Sequence, residues 1–217
     1  MLTLSLEKPG AAPAPKLRLS LSKGTRFTLR VDWQCNAAHE DDVDIHALEA
    51  RNDGQGAKVS ALDQVLSTYN TTKMSRSGVL TVNADGSFAT PSGGLSHSGD
   101  VRVQGNSETI VVDGSRIPDG VNEVPLFATV HEAGHGGEHQ EGSEDEDEAA
   151  FADIDVCTVT ILGPDGKELG AYRLSDEFGA FNVVQLGSLL LGADGWDYAP
   201  VGRGFTGTMN DVLAHFS

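Results

Sequence analysis

Apolar and polar residues alternate along much of the chain, which is the pattern of half-buried strands. Three stretches near the N-terminus carry an apolar residue at every second position, at residues 2–6, 17–21 and 27–33. Successive side chains of a strand point to opposite faces, so each stretch can bury one face. Because the turn signal Lys23-Gly24 joins the second and third stretches, residues 17–33 are predicted to form a hairpin.

Short apolar or β-branched runs continue to the C-terminus and predict strands at residues 41–49, 109–113, 124–130, 154–162 and 169–174. Three further segments are predicted as a short strand or loop entry (65–70), a hairpin tip (83–86) and either a strand or a short helix (181–191). Residues 208–215 are the one convincing helix. Short strands with little helix predict an all-β fold, a mostly antiparallel β-sandwich with a short C-terminal helix, in one domain over residues 1–217.

The segment Asp41-Asp42-Val43-Asp44-Ile45-His46 places carboxylates on one side of a predicted strand and apolar residues on the other. Asp42 and Asp44 then point the same way and repel each other unless a cation lies between them. Ca²⁺ suits such a position and takes about 6–8 oxygen ligands, so a second acidic loop is needed. The best candidate contributes Asp100, Asn106 and Glu108. The alternative is that Asp42 and Asp44 form only the solvated edge of a strand.

Charge and composition narrow the range of partners and compartments. The chain has 15 Lys and Arg against 32 Asp and Glu, a formal net charge of −17, which argues against nucleic acid or an anionic membrane surface as a partner. No apolar run approaches the ~20 residues that span a bilayer. We read no signal peptide at the N-terminus. With only two distant cysteines, Cys35 and Cys157, the expectation is a cytoplasmic protein with free thiols.

His131-Glu132-Ala133-Gly134-His135 matches the zinc-peptidase signature H-E-x-x-H. That chemistry needs a helix, so that both histidines reach one Zn²⁺ ion. Here the motif follows a strand-like run and enters a glycine-rich segment, and glycine costs a helix about 1 kcal/mol relative to alanine. His139 could join His131 and His135 in a non-catalytic metal-binding tract. A solvated loop is favoured, with residues 134–148 as an acidic, flexible surface segment.

Several short motifs occur in an order typical of one family. They are Leu19-Ser20-Leu21-Ser22-Lys23-Gly24, Val31-Asp32-Trp33, Asp42-Val43-Asp44, Tyr69-Asn70, His97-Ser98-Gly99-Asp100 with Arg102, Ile117-Pro118, Thr129-Val130-His131-Glu132-Ala133, Tyr172-Arg173-Leu174-Ser175-Asp176-Glu177 and Val201-Gly202-Arg203-Gly204-Phe205. Through these motifs, most of residues 17–216 resembles the TerD family, the tellurium-resistance and stress-response proteins of bacteria.

The resemblance implies a β-sandwich that binds Ca²⁺ through acidic loops and has no established catalytic activity. The positions that bind Ca²⁺ in the family correspond in this chain to Asp42, Asp44, Asp100 and Glu108, with Asn106 as a weaker oxygen donor. The chain departs from the family pattern in its less acidic second loop, in Gln34 after the tryptophan, and in His46 at the third place of Asp-x-Asp-x-Asp. Fewer carboxylates imply weaker binding, one site where relatives hold two, or no site. The family also has Asp where Glu132 stands, so the resemblance explains H-E-x-x-H as a coincidence.

The sequence therefore predicts a non-enzymatic Ca²⁺-binding module, intact or degenerate, in a bacterial stress or tellurium-resistance system. It would act through protein partners in the cytoplasm, and Zn²⁺ is not the expected ion. Two alternatives stay open. One is a zinc-dependent hydrolase that uses His131, Glu132 and His135, and the other is a sandwich that binds carbohydrate through Ca²⁺.

Overall fold

The computed structural model describes residues 24–35, 41–101, 107–132 and 149–217. Several predictions fall outside these ranges, namely the strands at 2–6 and 17–21, the first half of the hairpin at 17–33, the acidic segment 134–148, and the candidate ligands Asn106, His135 and His139.

Strands dominate the described ranges. There are thirteen: β1 (Arg26–Cys35), β2 (Asp41–Leu48), β3 (Arg51–Asn52), β4 (Ala57–Lys58), β5 (Val65–Leu66), β6 (Phe88–Ala89), β7 (Leu95–His97), β8 (Ser107–Asp113), β9 (Glu123–Glu132), β10 (Ile154–Leu162), β11 (Glu168–Arg173), β12 (Val183–Leu191) and β13 (Trp196–Phe205). The helices are α1 (Leu174–Glu177) and α2 (Met209–His215), with 3-10 turns at Leu62–Gln64, Thr68–Asn70 and Phe151–Asp153.

The strands form two main sheets that pack face to face. One has six strands in the order β11-β10-β1-β8-β7-β6, and the other has five in the order β13-β12-β9-β2-β5. Every ladder between these strands is antiparallel. The strands β3 and β4 make a separate two-stranded ribbon. The predicted antiparallel β-sandwich is therefore confirmed.

The main core lies between the two sheets and follows the predicted alternation. In β1 the inward residues are Phe27, Leu29, Val31 and Trp33, and all are buried. The tyrosines Tyr172 and Tyr198, one from each sheet, meet inside the core with hydroxyl oxygens 2.7 Å apart. Since burying apolar surface contributes about 25 cal/mol per Å², this interior supplies the main driving force for the fold.

A second apolar cluster covers the outer face of the five-stranded sheet. Leu48, Phe127 and Val183 of the sheet pack against Met209, Val212 and Phe216 at the C-terminus. The helix α2 begins after Thr208, whose side chain accepts a hydrogen bond from the Asp211 amide, while the Asp211 carboxylate accepts one from the Thr208 amide. This capping box explains why the predicted C-terminal helix starts where it does.

The structure resolves secondary-structure assignments that the sequence left open. Residues 181–191, compatible with either strand or helix, contain strand β12. Residues 83–86 form the predicted turn, but the following strand β6 pairs with β7 instead of with the residues before the turn. Cys35 and Cys157 are both buried and form no disulfide among the described residues, and the burial of Cys157 was predicted. Within the described ranges, no helix has the length and apolar character needed to cross a bilayer.

Candidate metal centre

The acidic segment forms strand β2, whose two sides have unequal neighbours among the described residues. Strand β9 pairs with it from Asp41 to Ala47, whereas the two-residue strand β5 reaches only Ala47 and Leu48. Val43 and Ile45 enter the main core, and the alternation sends Asp42 and Asp44 to the opposite face. Both carboxylates are nonetheless almost fully buried. Asp42 and Asp44 thus point the same way, as predicted. The alternative prediction, that they form only the solvated edge of a strand, is wrong because both are buried.

Local hydrogen bonds orient these two carboxylates. The Thr68 hydroxyl, in the 3-10 turn after β5, donates to Asp44 Oδ1 at 3.0 Å. The Val43 amide lies 3.0 Å from Asp42 Oδ1 and donates to it. Each carboxylate therefore has one oxygen engaged by the protein, and the second oxygens, Asp42 Oδ2 and Asp44 Oδ2, both approach the imidazole of His131.

The opposite sheet brings further carboxylates to Asp44. Glu108 of β8 and Asp100, just after β7, each place an oxygen within 4.8 Å of the other and of an Asp44 oxygen. Glu108 is fully buried, whereas Asp100 is exposed. The Val101 amide donates to Glu108 Oε1 at 2.9 Å. The structure therefore brings together Asp44, Asp100 and Glu108, three of the predicted ligands, from three separate segments.

Burial and mutual repulsion dominate the electrostatics of this cluster. The pKa of Asp44 is raised well above its usual value, first by burial and then by the charges of Glu108, Asp42 and Asp100. Burial also raises the pKa of Glu108, and the Val101 amide only partly opposes this effect. Each of these carboxylates is thus stabilised either by a proton or by a nearby cation.

His97 is a member of this site that the search for acidic ligands missed. Its Nε2 lies 3.3 Å from Glu108 Oε2, and both side chains are completely buried. Its Nδ1 accepts a hydrogen bond from the Gly99 amide, and its ring stacks on Phe88 at 4.7 Å. Burial lowers the pKa of His97 to about 4, so the ring is neutral at physiological pH. The only sequence signal for it was its place directly before Ser98-Gly99-Asp100.

His131 lies directly across the ladder from Asp42. Its Nε2 is 3.7 Å from Asp42 Oδ2, and its Nδ1 is 3.5 Å from Asp44 Oδ2. The Tyr69 hydroxyl lies 3.0 Å from the same Nδ1. The sequence had grouped His131 with His135 and His139, but the structure places it beside the acidic strand. Positions 131 and 132 are the last two residues of strand β9, which is not the helix that H-E-x-x-H chemistry needs.

His46, at the third place of the acidic strand, is a packed side chain. It is fully buried, and its Nε2 lies 2.9 Å from Thr129 Oγ1. Burial, together with the neighbouring His97 and His131, lowers the pKa of His46 to about 3, so the ring is neutral. Where the family pattern has a third carboxylate, this chain thus has an uncharged residue held by a hydroxyl.

The donor set of the site fits a hard divalent cation. Ca²⁺ takes about 6–8 oxygens at ~2.3–2.6 Å, and carboxylates of Asp42, Asp44, Asp100 and Glu108 with water can supply them. Within the described residues, Glu108 Oε2 is fully buried and makes no well-aligned hydrogen bond, although His97 Nε2 lies 3.3 Å away. A buried carboxylate oxygen in that position is costly unless a proton or a cation compensates it. This orphaned oxygen is the observation that most favours a metal ion.

Comparison with known proteins places this chain in a family. Residues 15–216 match the TerD domain. The chain belongs to the TerD domain family. The acidic strand, the Asp100 loop and the strand that carries Glu108 all lie inside the matched region of this family.

Individual relatives are distant. The chain is 26% identical over 130 residues to the uncharacterized protein YceE of Bacillus subtilis (strain 168), and the match spans 58% of the chain and 62% of YceE, less than two thirds of that relative. It is 23% identical over 129 residues to chemical-damaging agent resistance protein B of Clostridium acetobutylicum, covering 58% of the chain and 85% of that protein.

A solved structure supports the fold. The crystal structure of a homologue of telluride resistance protein (TerD) from Streptomyces coelicolor A3(2) aligns with a TM-score of 0.56 and 15% identity, covering 87% of this chain and 95% of that one. At this identity the likeness concerns the fold alone, so the site rests on the residues of this chain.

Proposed function

We propose that this TerD-family protein is a non-enzymatic Ca²⁺-binding module that acts in resistance to chemical stress through protein partners. The observation that carries the proposal is the buried Glu108 Oε2, which makes no well-aligned hydrogen bond among the described residues and belongs to the carboxylate cluster of Asp44 and Asp100. A cation there would remove both the repulsion and the unsatisfied oxygen.

The ligand chemistry selects among ions. Asp44, Asp100 and Glu108 present only oxygen atoms, which suit Ca²⁺ and Mg²⁺ better than softer ions. They come from two sheets and a loop, so their spacing is adjustable, and Ca²⁺ tolerates irregular geometry where Mg²⁺ demands a near-ideal octahedron. Ca²⁺ is therefore the ion we propose.

The position of the ligands suggests what the ion would do. Asp44 belongs to the five-stranded sheet, Glu108 to the six-stranded sheet, and Asp100 to the exposed segment after β7. An ion held by all three would join the two sheets at one edge and order the surface around Asp100. Because that surface would differ between the loaded and the ion-free protein, it offers a partner a signal of ion occupancy.

The link to chemical stress rests on the relatives. One is named for resistance to chemical-damaging agents, and a structural neighbour is described as a homologue of a telluride resistance protein. We propose the same setting for this chain, in the cytoplasm, with no reaction assigned to it. Its formal net charge of −17 would repel nucleic acids and anionic membranes, so a protein is the partner class we propose.

The test is isothermal titration of chelator-treated protein with Ca²⁺, together with thermal unfolding. We expect saturable binding and a gain of about 2.7 kcal/mol in unfolding free energy at a free Ca²⁺ concentration of 100 Kd. Asp44→Asn should abolish both. Asp165→Asn is the matched control, since it removes one charge from an exposed turn where Asp165 pairs with Lys167. Wild-type protein that gives no Ca²⁺ isotherm, or Asp44→Asn protein that keeps it, would contradict the proposal.

A further inference from the structure

The imidazole of His131 gives the site a nitrogen donor that Ca²⁺ does not need. The side chain is 32% exposed and stands against the nearly buried carboxylates of Asp42 and Asp44. One ligand atom of each residue lies within 4.8 Å of the others. This second triad has a different chemistry from the all-oxygen cluster of Asp44, Asp100 and Glu108.

A mixed imidazole and carboxylate set is typical of first-row transition ions. Zn²⁺ binds His nitrogen and carboxylate oxygen at ~2.0–2.2 Å, which places two ligands of one ion about 3–4 Å apart. The 3.7 Å from Nε2 to Asp42 Oδ2 already falls in that range. Ca²⁺, in contrast, takes oxygen ligands. The triad and the all-oxygen cluster therefore suit different ions.

The structure also orients the imidazole. A metal-bound histidine usually has its other ring nitrogen held by a hydrogen bond, which fixes the ring. Here the Tyr69 hydroxyl lies 3.0 Å from Nδ1, on the side where Asp44 Oδ2 lies at 3.5 Å, and Nε2 faces Asp42 Oδ2 at 3.7 Å. Asp42 and His131 are cross-strand neighbours in a continuous ladder, which fixes their separation through the main chain.

Asp44 belongs to both groups of candidate ligands. Its Oδ1 accepts from Thr68, and its Oδ2 lies 3.5 Å from the His131 ring. A carboxylate has several lone-pair directions and can bridge two cations. Such a bridge would explain why Asp44 is buried among three other carboxylates, of which Glu108 belongs to the opposite sheet and Asp100 to the segment after β7.

We propose that Asp42, Asp44 and His131 form a second metal site for a divalent transition ion, joined by the Asp44 carboxylate to the Ca²⁺ site. The bridging part rests on the proposed function, whereas the His131 site stands without it. The competing explanation is that His131 is a protonated counter-ion of Asp42 and Asp44. In that case a transition ion would find no specific ligand.

The experiment titrates Zn²⁺ into chelator-treated protein that has been saturated with Ca²⁺. We expect one Zn²⁺ per chain and a loss of at least tenfold in Zn²⁺ affinity in His131→Gln, with Ca²⁺ affinity kept within threefold. Two control variants test whether other histidines bind Zn²⁺. The first is His215→Gln, which changes an exposed residue of α2. The second is the double variant His135→Gln with His139→Gln, which removes the remainder of the histidine tract. Both should bind Zn²⁺ like wild type. Circular dichroism verifies that each variant is folded.

Variants of the carboxylates test the bridge. Asp44→Asn should lose both ions, whereas Asp100→Asn should weaken Ca²⁺ at least tenfold and Zn²⁺ less than threefold. Zn²⁺ affinity that survives His131→Gln, or falls only when His135 and His139 are changed, overturns the second site. Competition of Zn²⁺ with Ca²⁺ for one position overturns the bridge. Zn²⁺ binding at His131 without any Ca²⁺ binding would refute the proposed function and the bridge but leave the His131 site.

Discussion

The two ends of β2 carry buried carboxylates in opposite circumstances. Past the C-terminal end, Glu49 is buried, and one of its oxygens accepts hydrogen bonds from Thr90 at 2.8 Å and Ser92 at 2.5 Å. At the other end, Asp44 faces Glu108, whose Oε2 makes no well-aligned hydrogen bond within the described residues, with His97 Nε2 as a neighbour at 3.3 Å. The first carboxylate is satisfied by the protein, whereas the second requires a proton or a cation from solution.

The outer face of the sheet shows the same contrast. Near Leu48 it is apolar and covered by α2, and near Asp44 it is lined by Thr68 and His131. One end of the strand therefore contributes to stability through packing that does not depend on solution conditions. The other end makes stability depend on ions and pH. A single strand can thus serve both as scaffold and as ligand carrier.

The largest change in stability is expected from a substitution at the apolar end of β2. Phe216→Ala removes a nearly buried ring that packs edge-to-face on Phe127 with centroids 5.5 Å apart. We expect a loss of about 3 kcal/mol in the free energy of unfolding, measured by urea denaturation. Ca²⁺ affinity should stay within threefold of wild type because the acidic end is untouched. A tenfold change in affinity would show that the two ends are coupled.

A smaller change in stability is expected from a substitution of His46, which lies between the two ends of β2. Its folded pKa of about 3 is below its unfolded value, so its contribution to stability is present above pH 6.5 and is lost as the pH falls towards 3. One such group changes the free energy of unfolding by up to about 1.4 kcal/mol per pH unit.

We expect His46→Gln to flatten the dependence of unfolding free energy on pH between 6.5 and 4. The measurement is a series of urea titrations across that range. His215→Gln, on an exposed surface of α2, is the control and should leave the slope close to that of wild type. Equal slopes in wild type and His46→Gln would contradict a neutral, buried His46.

The smallest changes in stability are expected from variants that compare the carboxylates of Glu49 and Glu108 directly. Without metal at pH 7.5, Glu49→Gln should lower the free energy of unfolding by about 1–2 kcal/mol, because Thr90 and Ser92 then face a weaker acceptor. Glu108→Gln should change it little, since burial raises the pKa of Glu108 to about 9 and the side chain is already uncharged at pH 7.5. Chemical denaturation in the presence of a chelator gives both values. Destabilisation of similar size in the two variants would mean that Glu108 is satisfied like Glu49.

Much of the sandwich was predictable because strand alternation depends on local sequence. The inward face of β1 and the shared orientation of Asp42 and Asp44 both follow from a period of two residues. The ligand number of Ca²⁺ required a second acidic loop and so pointed to Asp100 and Glu108, and the family order of motifs then supported the same two residues. The sequence could not show that His131 joins the acidic strand, because that depends on the register between β2 and β9. The contact of His97 with Glu108 could not be predicted for the same reason, because it depends on the packing of the six-stranded sheet.

The short strand β5 has a consequence for self-association. Strand edges without a neighbour readily pair with other chains. Along Asp41–His46, β2 has such an edge among the described residues, and the main chain of Ile45 interacts instead with the side chains of His97 and Glu108. The side chains of His97 and Glu108 therefore cover the edge, and a change of either residue would expose it to pairing with another chain.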